Sequence, residues 1–156
     1  MSSDPHLATL ATIHATAVLV GARAVLIQGP PGAGKSRLAL ALLSAVQMGE
    51  LSFARLIADD RALIEPMHGR LLVRPAPALA GLLEVRGLGI RRVPYEPVAV
   101  VGMVLELAAE DAGRLPELAS RETRIAQIRL PRLAVAPGIE PLPLLLAALQ
   151  TSEATV

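Results

Sequence analysis

The 156-residue chain contains no cysteine and no tryptophan, and its aromatic content is one tyrosine and one phenylalanine. Without cysteine there is no disulfide framework, no thiolate metal site and no thiol nucleophile, so chemistry falls to oxygen and nitrogen side chains and to the backbone. Without aromatics there are no stacking platforms for single-stranded nucleic acid, and the core must be aliphatic. Strong charge is lacking too: charged residues make up 19%, and 15 basic groups nearly cancel 14 acidic ones. That balance argues against a polyanion-seeking surface, and the 53% hydrophobic content argues against disorder. Apolar stretches are interrupted well before about 18 residues, and Met1 to Pro5 lacks the basic and apolar regions of a secretory leader. The expectation is a cytoplasmic protein whose partners include neither nucleic acid nor membrane.

What is present reads as an α/β chain. The length fits one domain of about 100 to 200 residues. It is placed at residues 13–150, between an N-terminal segment, 1–12, that is free to be flexible and a C-terminal tail, 151–156. Ile13 to Val20 and Ala24 to Gln28 are β-branched-rich runs joined through Gly21-Ala22-Arg23, which predicts two strands and a tight turn. Lys35 to Gln47 carries Leu38, Leu42 and Val46 at helical spacing among alanines. Arg55 to Ala58 is a short strand ending in Asp59-Asp60, and Ala62 to Glu65 with Arg70 to Arg74 flank His68-Gly69 as a hairpin. Val98 to Leu107 is long enough for a central strand, and Leu142 to Gln150 behind Pro141 reads as a helix.

Between the second strand and the first helix lies Gly29-Pro30-Pro31-Gly32-Ala33-Gly34-Lys35-Ser36. Strand, glycine-rich loop and helix in that order form a phosphate-binding loop, in which backbone N–H groups converge on phosphate oxygens and the helix N-terminus favours negative charge. Lys35, the only lysine in the chain, would meet the terminal phosphates, and the Ser36 hydroxyl would ligate magnesium. The second feature is Asp59-Asp60 at a strand end, where nucleoside triphosphate sites place a metal-linked carboxylate. Successive strand residues face opposite ways, so the two aspartates are expected to differ in role; which of them is the base stays open at this point. A plain polar turn closing the strand is the alternative reading of the pair.

These residues resemble the HPr kinase/phosphorylase family. The resemblance rests on His14-Ala15-Thr16-Ala17, on Val25-Leu26-Ile27 with the loop, on Leu56-Ile57-Ala58-Asp59-Asp60 and on Glu84-Val85-Arg86-Gly87-Leu88-Gly89-Ile90, in that order along about residues 13 to 92. It implies a P-loop nucleotide-binding domain of HPr kinase type, with a mixed, strand-rich sheet and few helices. It also implies an ATP- and magnesium-dependent kinase acting on a serine of the phosphocarrier HPr, with phosphorolytic reversal in many members, and a hexamer. By the same resemblance Asp60 is the proton acceptor, His14 and Lys35 are active-site residues, Ser36 and Glu84 hold magnesium, and Arg114 resembles the family's later catalytic arginine; the residues themselves suggest that 29–36 hold nucleotide, that Asp59 at the strand end is a further magnesium ligand and that Arg86 offsets charge on the transferring phosphate. The structural alternatives are a strand histidine at 14, a Glu84–Arg86 salt bridge on one strand face, and a solvated loop around Arg114.

Three features depart from the family pattern. Arg37 follows the loop serine where an acidic residue is common, and Ile139 in Pro137-Gly138-Ile139-Glu140 replaces the arginine of an element linked to phosphorolysis, which argues against the reverse reaction. Only a short segment precedes His14, which suggests a catalytic-domain form. Competing functions are a P-loop ATPase or switch and a small-molecule kinase. The first usually follows its strand-end Asp with a Glu, and here Asp60 stands in that place.

Overall fold

A computed structural model describes residues 10–152 together with Pro5 and Ala154. Most of the proposed end segments lie outside the described residues. The chain is α/β, with eleven strands and two α-helices among the described residues: β1 (Ala11–Ile13), β2 (Thr16–Val20), β3 (Arg23–Gln28), α1 (Lys35–Gln47), β4 (Ala54–Ala58), β5 (Ala62–Met67), β6 (Arg70–Pro75), β7 (Leu82–Val85), β8 (Gly89–Arg92), β9 (Ala99–Glu106), β10 (Glu122–Ile125), β11 (Ile128–Ala134) and α2 (Pro141–Gln150). Nine strands form one mixed sheet in the order β1-β5-β6-β9-β3-β2-β4, with β11 on β9 and β10 on β11; β7 and β8 form a separate hairpin.

Alternation along β3 builds the two faces of this sheet. Ala24 and Leu26 enter one apolar cluster, whereas Val25 and Ile27 enter the other, beneath Leu38, Ala39 and Leu42 of α1 and Leu145 of α2. The first cluster takes residues from both ends of the sheet, Ala17 and Ile57 from one and Ile64, Leu71 and Val73 from the other, so the sheet curls over itself. Six alanines in that cluster keep the facing layers close in a chain almost without aromatic rings.

The structure departs from the sequence reading at three places. Ile13 to Val20 is not one strand: Ile13 pairs with Ala62, Thr16 pairs with Ile27, and His14 sits exposed in the bend where the chain changes partners. Arg86 does not share a strand face with Glu84, because β7 ends at Val85 and Arg86 opens a turn closed by the Leu88 N–H to the Val85 carbonyl at 2.9 Å. The β10–β11 hairpin went unseen because its turn residues, Ala126 and Gln127, both adopt positive φ (49° and 67°) without the Asn or Gly that normally signals such a turn.

Strands β3, β9 and β11 are mutually parallel, and their C-terminal ends meet at the glycine-rich loop. The Leu107 N–H donates to the Gln28 carbonyl at 2.8 Å and the Val135 N–H to the Glu106 carbonyl at 2.9 Å. Carboxyl ends of parallel strands are where open α/β sheets hold ligands.

Candidate active site

Gly29 leaves β3 under Leu107, and a Cβ there would stand 3.0 Å from the Leu107 Cβ and 3.2 Å from its carbonyl oxygen. Any other residue would press on Leu107, just beyond β9. Gly32 and Gly34 then take positive φ (79° and 102°), and the Ala33 N–H closes back onto the Pro30 carbonyl at 3.1 Å. Helix α1 begins at Lys35 with no side-chain cap and no acidic residue in its first turn, leaving its first amides available to an anion. Lys35, a residue only 9% exposed, donates through its ammonium to the carbonyls of Gly29 (3.0 Å) and Pro30 (3.3 Å). The loop's one cation is therefore stored against the loop itself.

Ser36 faces the end of β4. Its hydroxyl donates to Asp59 Oδ1 at 2.6 Å; the same oxygen accepts from the Thr16 hydroxyl at 2.9 Å, and Asp59 Oδ2 accepts from the Glu84 N–H at 3.0 Å. This carboxylate thus ties together α1, β2, β4 and β7. The next residue turns away: Asp60 has φ 66°, its N–H donates to Thr16 Oγ1 at 3.1 Å, and its exposed carboxylate accepts no hydrogen bond within the described residues. Strand geometry led us to expect divergent aspartates, and a left-handed residue at 60 is the means.

The hydroxyl of Ser36 and the carboxylate of Asp59 are hard oxygen donors at contact distance, which fits a magnesium ion that takes one or two protein ligands and fills its shell with phosphate oxygens and water. Among the described residues, no group of three or more His, Cys, Asp or Glu side chains could hold a metal unaided. Glu84 is exposed and reaches the cluster through its backbone N–H. His14, Arg86 and Arg114 are all exposed, and none takes part in the hydrogen bonds linking Ser36, Asp59 and Thr16. Arg114 stands in the loop after β9, whose neighbour Asp111 is held by two hydrogen bonds from Arg132 at 2.8 and 3.0 Å.

A cavity of about 220 Å³ adjoins the loop, bounded by Ala33, Gly34, Leu38 and Ala41 on one side and Ile139 and Leu142 on the other. Arg37 and Glu140 also line it and pair at 3.4 Å, though both are largely exposed and the contact is weak. The unusual Arg37 therefore faces the segment that carries the equally unusual Ile139.

Thr16 is the site residue that sequence reasoning missed. It is fully buried, and a hydroxyl at an inward position of an otherwise apolar strand needs polar partners. That signal stood in His14-Ala-Thr-Ala, two residues beyond the histidine that drew attention.

The HPr serine kinase C-terminal domain family model matches residues 5–95. The chain is 40% identical over 91 residues to the HPr kinase/phosphorylase of Clostridium tetani, a match covering 58% of this chain and 28% of that protein. It is 43% identical over 88 residues to the HPr kinase/phosphorylase of Lacticaseibacillus casei, covering 56% and 25%. The chain thus spans about a quarter of the length of these curated relatives. Its fold is similar to that of the HPr(Ser) kinase/phosphatase from Coxiella burnetii, with a TM-score of 0.69 and 26% identity over 90% of this chain and 93% of that one.

Proposed function

This chain belongs to the HPr serine kinase C-terminal domain family, and on that premise we propose that it transfers the terminal phosphoryl group of ATP to a serine hydroxyl of HPr or a related phosphocarrier. The single observation that carries the reading is the 2.6 Å hydrogen bond from Ser36 to Asp59, which sets a metal-ready oxygen pair directly beside the glycine-rich loop. The triphosphate would lie over the loop amides and the first turn of α1, and Lys35 would exchange the carbonyls of Gly29 and Pro30 for phosphate oxygens. The cavity lined by Ala33, Gly34 and Leu38 adjoins the loop and would take the nucleoside. Magnesium bound by Ser36 and Asp59, with Glu84 nearby, would supply charge neutralisation between the bridging phosphates.

Asp59 and Asp60 divide the remaining work. The oxygens of Asp59 are engaged by Ser36, Thr16 and the Glu84 N–H, which suits a ligand and disfavours a base. Asp60 projects an uncommitted carboxylate into solvent, where an incoming serine can reach it. As the serine oxygen bonds to the γ-phosphorus and the bond to the β,γ-bridging oxygen breaks, the hydroxyl proton passes to Asp60 and ADP leaves. We assign His14, Arg86 and Arg114 to carrier and phosphoryl contacts on the open side of the site, Arg86 from the β7–β8 turn through its directional guanidinium donors. Exposed Leu88, Leu115 and Leu118 are consistent with burial against a carrier or against other copies in the hexamer that the family resemblance implies.

The test is incubation of the protein with γ-labelled ATP, magnesium and HPr. Acid-stable phosphoserine on the carrier is expected; free labelled phosphate alone would identify a hydrolase instead. Subsequent inorganic phosphate should remove little label, given Ile139 in place of arginine.

A further inference from the structure

The geometry points to Thr16 as a positioning residue that sets two aspartates to two tasks through one hydroxyl. Thr16 is fully buried in β2, a strand held on both edges by β3 and β4. Its Oγ1 donates to Asp59 Oδ1 at 2.9 Å and accepts from the Asp60 N–H at 3.1 Å, so its proton and a lone pair are committed to successive residues of the same strand end. On the Asp59 side it shares an acceptor with Ser36, which fixes the carboxylate plane against the metal-ready hydroxyl. On the Asp60 side it holds a backbone amide whose residue sits at φ 66°, a left-handed conformation that residues other than glycine adopt only occasionally and that needs outside support. Valine could fill the same space in this apolar strand, so the hydroxyl is there for its hydrogen bonds. This role rests on the kinase reading above and adds a residue to it.

Two substitutions separate the hydroxyl from the methyl. Thr16→Val retains the branched shape and removes both hydrogen bonds, whereas Thr16→Ser retains the hydroxyl alone. In Thr16→Val, the gain in ATP affinity produced by magnesium, measured by calorimetry, is expected to fall about tenfold, while ATP without metal binds as in the wild type. The kcat for carrier phosphorylation should fall about 10- to 100-fold with the carrier KM unchanged, and Thr16→Ser should restore most of both. Wild-type magnesium response and kcat in Thr16→Val would overturn the assignment. So would equal impairment in Thr16→Ser, which would place the effect in methyl packing. If Thr16→Val does not fold, Thr16→Cys, a far weaker hydrogen-bond partner of serine's shape, takes its place against Thr16→Ser, and equal behaviour of the two refutes the proposal. A wild type that binds ATP and phosphorylates no carrier would end the kinase reading, yet the magnesium comparison would still decide the role of Thr16. A wild type that binds no ATP would end both.

Discussion

Asp59 and Asp60 are covalent neighbours with different surroundings, and the difference is made by a single φ angle and a single threonine hydroxyl. Substituting each by asparagine should therefore give different phenotypes. Asp60→Asn is expected to bind magnesium-ATP normally and lose about 100-fold or more in transfer, within the range for removing a general base. Asp59→Asn should weaken the magnesium dependence of binding itself. Undiminished transfer by Asp60→Asn would move the base to Asp59. A third aspartate bears on stability. The hydrogen bonds from Arg132 hold the Asp111 carboxyl below the ordinary carboxylate value. Its lowered folded value means that this anchor is complete above the unfolded pKa of about 3.9 and is lost as pH falls through the folded value. Asp111 is half exposed, so the effect is modest and screened by salt. The thermal midpoints of wild type and Asp111→Asn should differ near neutrality and converge as pH drops below about 4; a gap that stays constant would show that the pair does not titrate.

At the scale of elements, legibility followed how local the signal was. Helix α1 spans Lys35–Gln47 as its spacing predicts, since the period, the preceding glycines and the alanine content all lie within the segment. The β5–β6 hairpin around His68-Gly69 and the long strand β9 were readable for the same reason. Pairing partners were not. Nothing near Ile13 tells it that Ala62 is its neighbour, and the break at His14 arises because β2 must turn to pair with β3 and β4. Residues Glu122–Ala134 carried no readable turn, because Ala126 and Gln127 are held in left-handed conformations by the surrounding sheet. That strain is testable. Replacing Ala126-Gln127 by Asn-Gly should raise the free energy of unfolding by about 1 kcal/mol, measured in urea, and leave transfer unchanged. A loss of stability would mean that Ala126 and Gln127 make contacts outweighing their backbone cost.

At the scale of the molecule, the site is a product of topology. The loop motif comes from residues 29–36, the carboxylate that accepts from Ser36 comes from residue 59, its hydroxyl support from residue 16 and a backbone donor from residue 84. The sheet order brings β4 beside β2 and β3 beside β9, and thereby assembles these groups at one end. The loop, its helix and both aspartates could be recognised in sequence because each is a short run with its own chemistry. The Thr16 bridge, the cavity against residues 138–142 and the storage of Lys35 on its own loop carbonyls are long-range or conformational facts and had to be seen. No helix among the described residues is long and apolar enough to cross a membrane. The most direct measurement is transfer from γ-labelled ATP to HPr by the wild type and by Lys35→Ala, side by side with magnesium present. Label on one carrier serine, reduced about 100-fold or more in the variant, is the predicted result. Equal labelling by both proteins, or no labelled carrier with the wild type, would contradict it.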